Sequence, residues 1–510
     1  MSHARHQLET VVRGRARLTT RDDINDLRSK AYVESQILSR EYHGRFLIEL
    51  LQNARDAWRQ TEASAHSEVL IRLTSDYVLE VYNCGEAVAL DVVEVSFSHF
   101  GQSTKPLGEG IGHKGIGFKS VLQITRIPEV YSRSRASGTF EMAVGYDPEA
   151  ALALVVRETG QERWELLNRQ AQVTSEAAAV RVPVLYYPHW QRDVPADVQR
   201  IADEDGFNTV VRLPYCARFD RLLELDRAAW LDTVRAAMDD LADEVLALLD
   251  CWHQVRLVDE LAGTERVIQL TAPRIVERAG LRVRTATLTR DGAPSSQWRM
   301  YERGLSGFKS DLEAEIAVSV RLDDGQPTDL RRTASDGTIP GRADCFHLFF
   351  PTLIPTGLPL LLHAYFTVDA SRKGFAGDKS TQNRALLDGL RKLALEAITD
   401  LVAVGMGDPL PELFGRAALD LSDPLAGDFR RSLLASLDDH AWVLAMEQDP
   451  PVSPRLLWFD AAGDLPDLLP AALPPRAVRE MAGRFYPRTR DPAGLTFLAQ
   501  RMGGTLDLGV

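Results

Sequence analysis

Residues 46–58 read FLIELLQNARDAW and carry an unusual polar stripe on a hydrophobic segment. Glu49, Asn53 and Asp56 are spaced at i, i+4 and i+7, so in a helix they share one side. The remaining positions are mostly apolar and can pack against a core. Buried polar groups need partners. The segment therefore predicts either an exposed polar face or a polar site built on one helix.

The segments on both sides of this helix predict a mixed α+β chain. The helical period runs from about residue 23 to 58, and strands are expected at 69–73 and 77–83. A glycine-rich stretch, LGEGIGHKGIGFKSV at 107–121, then runs into an expected helix start at Phe118. Further strands are expected at 127–133, 138–144, 152–157 and 208–215, and helices at 222–250 and 381–404. Residues 345–368 predict two buried strands around a Pro/Gly turn, and prolines become frequent after 405.

Composition excludes several classes of function. The chain has 510 residues and a net charge of −13, which disfavours binding to DNA or anionic lipid without a local basic patch. Its four cysteines are dispersed, so neither a disulfide framework nor a zinc site is expected. The longest apolar run, 358–366, is too short to span a bilayer. Residues 1–20 lack the apolar core of a secretory signal and predict a structured or swapping arm, so we expect a cytoplasmic protein with no membrane partner.

Three shorter motifs accompany the helix and the glycine-rich stretch. They are VYNCGEAV at 81–88, GQSTKP at 101–106 and FNTVVRLPY at 207–215. Each alone is typical of an ordinary turn, loop or strand. The glycine-rich stretch is not a Walker A motif, because G-x-x-x-x-G-K-[ST] is absent, and no buried strand precedes it as in a Rossmann fold.

Taken in order, these motifs resemble the GHKL (Bergerat-fold) ATPases, which include gyrase B, MutL, histidine kinases and the ninety-kilodalton heat-shock chaperones. The sequences HGRFLIELLQNARDA, GQSTKP and GHKGIGFKSV are most similar to those of the sacsin and NO VEIN branch. The resemblance covers about 40–250 and extends more weakly over 345–395. It implies a two-layer α/β sandwich ATPase domain at 1–250, a middle α/β domain at 251–404, and a mostly helical, Pro-rich region of unknown role at 405–510.

The resemblance also implies roles for the residues on the helix. Glu49 falls at the position of the general base that polarises the attacking water. Asn53 falls at the position of the Mg²⁺ ligand, and Asp56 lines the same wall. Thr209 supports the adenine edge, often through water.

The loop residues fall where the family holds the phosphates of ATP. Gly112, Gly115 and Gly117 let backbone N–H groups approach the phosphates, and Phe118 anchors the end of the lid. Lys105 is preferred over Lys114 as the phosphate-binding cation, since Lys114 is equally well explained as a solvated lysine. The match of the Ser-Thr-Lys sequence to the family motif also assigns Ser103 and Thr104 to the nucleotide site.

The turn that recognises adenine departs from the family pattern. An Asp usually accepts a hydrogen bond from the adenine amino group in a D-x-G-x-G turn. Here Asn83 takes that place, Gly85 is kept, and Ala87 replaces the second glycine. An amide can accept or donate, so adenine selectivity is open.

A basic turn at 371–373 suggests a second catalytic contribution. In the chaperone branch, an arginine in an S-R loop reaches the γ-phosphate. Arg372 matches this arginine, with Lys373 as the alternate and a solvated basic turn as the plain alternative. The resemblance as a whole implies a Mg²⁺-dependent ATPase. ATP would close the lid and associate the N-terminal domains as a homodimer, so that the protein acts on an unknown protein client.

Two other functions stay open from the sequence. One is a nucleotide-gated binding module with little turnover, which the departures at Asn83 and Ala87 motivate. The other is a MutL-like nucleic-acid clamp, which the acidic charge disfavours. Relatives in phage defence suggest that process by analogy alone.

Overall fold

The computed structural model describes residues 3–40, 46–59, 67–98, 118–134, 138–171, 182–217, 226–241, 246, 248, 252–271, 274–278, 280–305, 314–330, 345–369, 373–376, 380–416, 421, 423–445, 448–460, 487–489, 491–501 and 504–506. They form two compact units. The first comprises residues 1–242, 249–269 and 290–292, and the second 243–248, 270–289 and 293–510. Both combine helices with strands of a mixed sheet, so the predicted α+β class is confirmed. The division into three domains stays a prediction.

The described part of the first unit begins with helices and contributes eight strands to the mixed sheet. Its helices are α1 (His3–Ala16), α2 (Arg21–Arg40), α3 (Phe46–Arg59), α4 (Pro148–Thr159), α5 (Gln161–Gln170), α6 (Ala196–Asp205) and α7 (Arg227–Asp239). Its strands are β1 (Glu68–Leu73), β2 (Val78–Asn83), β3 (Glu129–Ser132), β4 (Met142–Gly145), β5 (His189–Trp190), β6 (Thr209–Pro214), β7 (Gln254–Asp259) and β8 (Thr264–Leu270). Short helices of other types span Val92–Phe97, Phe118–Gln123 and Val184–Tyr186.

The strands of this unit lie in the order β8-β7-β1-β2-β6-β3-β4-β5. Neighbours are antiparallel except β1 and β7, which are parallel. Strand β6 therefore lies between β2 and β3, which places Asn83, Thr209 and Ser132 side by side. Residues that are far apart in sequence meet at this end of the sheet.

The two faces of this sheet have different coverings. On one face Leu70, Tyr82 and Tyr131 form an apolar cluster with Val198 and Ile201 of α6. Three ion pairs also join α6 to sheet residues or to the segment after β3: Arg72–Asp197, Arg133–Asp203 and Arg256–Asp205. The opposite face is apolar along β1, β2 and β6, and it ends in the polar side chains of Asn83 and Thr209.

The N-terminal segment is structured, which is one of the two forms expected from the sequence. Helix α1 packs on α4, and α2 packs on α5. The Thr159 hydroxyl donates to the carbonyl oxygen of Ala16 at 2.8 Å, which closes the end of α1 against the end of α4. Exchange of this segment between two chains stays a prediction.

The second unit contains β9 (Arg274–Arg278), β10 (Leu281–Arg290), β11 (Ala293–Leu305), β12 (Ala314–Asp323), β13 (Gln326–Pro327), β14 (Cys345–Leu348), β15 (Phe350–Pro355) and β16 (Leu361–Ala364). The order β15-β14-β16-β12-β11-β10 forms its main sheet, with β9 paired to β10 and β13 to β12. Its helices and remaining strands are α8 (Ser380–Ala403), α9 (Leu410–Arg416), α10 (Pro424–Asp439), β17 (Val443–Ala445), β18 (Gln448–Val452), β19 (Trp458–Asp460), α11 (Pro492–Ala499) and β20 (Gly504–Leu506). One core cluster joins β12, α8, α10 and α11 through Ile316, Leu390, Leu433 and Leu498.

Three local predictions differ from the structure. Residues 152–157 are helical within α4 rather than a strand, because Asp147 caps the helix through Glu149 N–H and Pro148 occupies its first position. Within the expected helix 222–250, α7 spans Arg227–Asp239 and residues 240–241 are not helical, whereas residues 246 and 248 are helical again. Residues 222–225, 242–245, 247 and 249–250 lie outside the described residues. The segment 345–368 forms three strands rather than two.

The expected strands at 69–73 and 77–83 and the helix at 381–404 are confirmed within one or two residues. Among the described residues, no helix combines the length and apolar character needed to cross a membrane.

Candidate functional site

Helix α3 carries the predicted polar stripe, and the structure buries most of it. Glu49 and Asp56 are 6% and 4% exposed, and Asn53 is half-buried. An exposed polar face, one of the two alternatives from the sequence, therefore does not describe this helix. Carboxylates are costly to remove from water, so two of them on one buried stripe indicate a polar site. Five apolar residues of α3 are at most 3% exposed and form its core face: Phe46, Leu47, Leu50, Leu51 and Ala54.

The turn after β2 is joined to the C-terminal end of α3. Asn83 ends β2, and its side-chain oxygen accepts a hydrogen bond from Gly85 N–H at 3.1 Å. Glu86 N–H donates to the carbonyl oxygen of Ala57 at 3.0 Å. A Cβ atom on Gly85 would lie 2.5 Å from Ala57 Cβ, so this contact requires glycine. The turn therefore lies directly against the helix residue that follows Asp56.

Asn208 stabilises the same turn and was not identified from the sequence. Its backbone N–H donates to the carbonyl oxygen of Asn83 at 2.9 Å, and its side-chain NH₂ donates to that of Gly85 at 3.0 Å. The residue is 4% exposed. Its position immediately before the Thr-led strand was the available signal, but an Asn before a strand is common in turns.

Thr209 lies next to Asn83 and is bonded to a residue that the motifs do not contain. Thr209 pairs with Asn83 on β2 and with Ser132 on β3. The hydroxyl oxygens of Ser132 and Thr209 are 2.7 Å apart, and Val88 N–H donates to the Ser132 hydroxyl at 2.8 Å. Ser132 and Thr209 are 1% and 4% exposed. The structure therefore brings Asn83, Gly85 and Thr209 together and adds Ser132 and Asn208.

Phe118 is buried where the described chain resumes after residue 98. Its ring stacks on Phe97 with centroids 3.9 Å apart and an interplanar angle of 15°, and it tilts against Tyr146 at 6.2 Å. Phe97 ends the short helix Val92–Phe97, and Phe118 begins the short helix Phe118–Gln123. An aromatic contact therefore joins the residues that precede and follow the segment 99–117, which contains the glycines.

A buried group of charges lies beside Phe118. Glu34 on α2 is 2% exposed and accepts backbone hydrogen bonds from Val184 and Leu185 at 2.8 and 3.0 Å, with Arg126 at 4.0 Å. Lys119 is 1% exposed. Burial lowers the pKa of Lys119 to about 7, although the nearby Glu34 opposes this shift, and burial raises the pKa of Glu34.

We expect Lys119→Met to reduce the pH dependence of stability. Between pH 7 and 10.5 the folded protein binds fewer protons at Lys119 than the unfolded chain, because the pKa falls from 10.5 to about 7 on folding. The free energy of unfolding therefore rises with pH in this window, by up to about 1.4 kcal/mol per pH unit. Urea unfolding of wild type and variant at pH 7.5 and 9 measures the difference in slope.

The control for this experiment is Lys392→Met, because the Lys392 side chain is 62% exposed on α8. For this variant, the slope of the free energy of unfolding against pH should match that of the wild type. If the free energy of unfolding of Lys119→Met has the same pH slope as that of the wild type, the lowered pKa of Lys119 in the folded protein is contradicted.

The donor atoms on α3 suit magnesium rather than a softer metal. The stripe offers carboxylate and amide oxygens, which Mg²⁺ prefers. Within the part of the chain that the structure describes, no group of three or more His, Cys, Asp or Glu side chains could hold a metal ion. Magnesium bound by one or two protein oxygens together with phosphates does not need such a group. Asn53, between two buried carboxylates, therefore fits the predicted ligand position.

Several predicted site residues lie outside the described residues. They are Ser103, Thr104, Lys105, Gly112, Lys114, Gly115, Gly117 and Arg372. Lys373, the alternate to Arg372, is described and exposed, and its backbone N–H donates to the Asp369 carboxylate at 3.0 Å. The roles of all these residues stay predictions.

Comparison with known proteins gives a limited result. No family model matches the chain, and no curated protein matches it. Among solved structures, the chain is similar to the 43K ATPase domain of gyrase B from Thermus thermophilus, crystallised in complex with an aminocoumarin. The match has 15% identity and a TM-score of 0.25, and covers 48% of this chain and 57% of the gyrase B chain. A similarity this low supports no further argument.

Proposed function

We propose that the protein binds and hydrolyses a purine nucleoside triphosphate with Mg²⁺, and that ATP is the nucleotide implied by the resemblance to GHKL ATPases. The observation that best supports this is the geometry of α3. Its buried Glu49 and Asp56 flank Asn53, and its C-terminal end lies against the Asn83–Gly85 turn. One helix thereby joins a carboxylate suited to proton transfer, an amide oxygen suited to the ion, and the turn assigned to the base.

Each residue of the stripe has a distinct role in this proposal. Glu49 accepts the proton of the water that attacks the γ-phosphorus, a task that requires a carboxylate held beside the phosphate. Asn53 holds Mg²⁺ through its amide oxygen, and the ion neutralises phosphate charge when bound. Asp56 orients its neighbours at the end of the helix that meets Gly85. Burial keeps bulk water from Glu49 and Asp56 and strengthens their interactions.

The remaining predicted residues act on the phosphates. Gly112, Gly115 and Gly117 offer backbone N–H groups, and Lys105 supplies charge. Arg372 is the arginine that the resemblance assigns to the γ-phosphate. Phe118, stacked on Phe97, anchors the end of the loop as it closes over the nucleotide.

In this proposal, nucleotide binding and hydrolysis drive conformational changes of the protein. Closure of the loop and association of two N-terminal domains as a homodimer drive a change that acts on a protein client. The motif sequences resemble those of the sacsin and NO VEIN branch, and this resemblance supports the proposal of a chaperone-like role or a part in a multi-protein defence system.

Two assays on the wild-type protein test the proposal. Titration calorimetry with a non-hydrolysable ATP or GTP analogue measures binding, and a phosphate-release assay with Mg²⁺ or EDTA measures turnover. We expect binding, together with slow release that requires Mg²⁺. A size measurement with and without the analogue tests dimer formation.

The same assays separate the alternatives. Binding without any phosphate release would favour a nucleotide-gated binding module. Release that is stimulated by DNA and weakens with salt would favour a nucleic-acid clamp. Absence of both binding and release would overturn the proposed function.

A further inference from the structure

The short link between helix α6 and strand β6 lies against the end of β2. The helix ends at Gly206, which has the left-handed φ of +73° that is typical of a helix end. Phe207 and Asn208 follow, and they are 0% and 4% exposed. The ring of Phe207 packs on that of Tyr82, one residue before Asn83, with centroids 5.4 Å apart. This link therefore contacts β2 where the turn of the proposed nucleotide site begins.

Asn208 donates two hydrogen bonds to this turn. Its backbone N–H bonds to the carbonyl oxygen of Asn83 at 2.9 Å, and its side-chain NH₂ bonds to that of Gly85 at 3.0 Å. A carbonyl oxygen can only accept, so the chemistry of the partners fixes the direction of both bonds. The two bonds reach the first and the third residue of the turn, so Asn208 holds it at both ends.

Arg133, which directly follows β3, holds the link in turn. Its backbone N–H donates to the carbonyl oxygen of Asn208 at 2.9 Å, and its guanidinium donates to the carbonyl oxygens of Phe207, at 3.0 Å, and Ala202. The guanidinium also pairs with Asp203 of α6. Arg133 is 5% exposed, and a guanidinium in such a place is retained only with acceptors around it. One arginine therefore fixes both the end of α6 and the link that supports the turn.

We infer that Arg133 and Asn208 are positioning residues for the proposed nucleotide site, and that they act on the base rather than on the phosphates. Arg133 fixes Asn208, and Asn208 fixes the turn 83–85, which is the part of the site assigned to the base. The groups proposed for catalysis and for Mg²⁺, Glu49 and Asn53, lie on α3 instead. This inference rests on the proposed function, because it takes the turn to contact the base. Loosening the turn should therefore weaken every nucleotide with the same base by the same factor.

Titration calorimetry with Mg²⁺, the non-hydrolysable ATP analogue and ADP tests the inference, because it measures affinity and stoichiometry separately. Asn208→Ala removes the bond to the Gly85 carbonyl oxygen, so it should weaken both nucleotides about tenfold at unchanged stoichiometry. Arg133→Lys keeps the charge but loses the planar set of donors, so it should weaken both about threefold. A variant that is merely unfolded in part would show a lower stoichiometry with wild-type affinity.

A double variant and a matched control complete the experiment. Because Arg133 acts through Asn208, the double variant should lose less affinity than the product of the two single losses. The control is Asn168→Ala on α5, where the Asn168 NH₂ also donates to a backbone carbonyl oxygen, that of Trp164 at 2.9 Å. This variant should bind both nucleotides as the wild type does, and thermal unfolding checks that all variants fold.

The possible results separate the inference from the proposed function. Wild-type affinity in Asn208→Ala, at any stoichiometry, overturns the inference and leaves the proposed function standing. So does a loss of affinity for the ATP analogue without the same loss for ADP, because the effect would then lie at the γ-phosphate. A double variant whose loss equals the product of the single losses removes Arg133 from the inference. Binding of neither nucleotide by the folded wild type overturns the proposed function, and the inference with it.

Discussion

Glu49→Gln should lower phosphate release at least about a hundredfold while nucleotide affinity changes by less than about threefold. Glu49 is 6% exposed, and glutamine has nearly the same volume, so the packing of α3 should be kept. The variant removes only the ability to take a proton from water. Loss of turnover with retained binding is the expected signature of a general base.

The experiment compares phosphate release and calorimetric binding for wild type and variant. Glu149→Gln is the matched control, because Glu149 also lies in the first turn of a helix, α4, but is exposed. It should leave both quantities unchanged. Unchanged turnover in Glu49→Gln would remove Glu49 from its proposed role, whatever the affinity.

Gly85→Ala should weaken both the fold and the nucleotide site. The added Cβ atom would lie 2.5 Å from Ala57 Cβ and 2.8 Å from the Ala57 carbonyl carbon, so the helix backbone itself has to move. We expect the free energy of unfolding to fall by about 2–3 kcal/mol. Binding of the non-hydrolysable ATP analogue should weaken more than about tenfold, because α3 carries Asn53 and Asp56 away from the Asn83 turn.

Gly14→Ala provides the control for this substitution. Gly14 is in the helix α1, and a Cβ atom there would meet nothing within 4 Å. Its replacement should stabilise the protein by up to about 1 kcal/mol, through helix propensity alone, and leave binding unchanged. Chemical unfolding and calorimetry measure both variants. A Gly85→Ala protein with wild-type stability and affinity would show that the contact with Ala57 is not tight.

Local patterns in the sequence predicted the elements of the site well. The spacing of Glu49, Asn53 and Asp56 depends only on the helical period, and α3 has that period. The strand before Asn83 was also predictable, because a strand pattern is a property of a few adjacent residues. The need for glycine at 85 was not, because it comes from the contact with Ala57 on α3. The wrong prediction at 152–157 also has a local cause, because Asp147 and Pro148 are a helix-start signal that outweighs the strand-like pattern after them.

Other features depend on strand register and on packing, which single-sequence patterns do not contain. Ser132 becomes part of the candidate site because β6 inserts between β2 and β3, so that residues 77 positions apart share a hydrogen bond. The buried Lys119 likewise meets Glu34 only after α2 packs on the short helix that begins at Phe118.

The amino-acid sequence by itself determined which side chains share a helix face and where the chain turns, because these follow from backbone geometry over a few residues. The tertiary structure alone decided that Glu49 and Asp56 are buried rather than exposed, and that Asn83, Thr209 and Ser132 lie side by side. Burial and hydrogen-bond direction are set by neighbours from distant parts of the chain, and those neighbours exist only once the sheet and its helices have assembled.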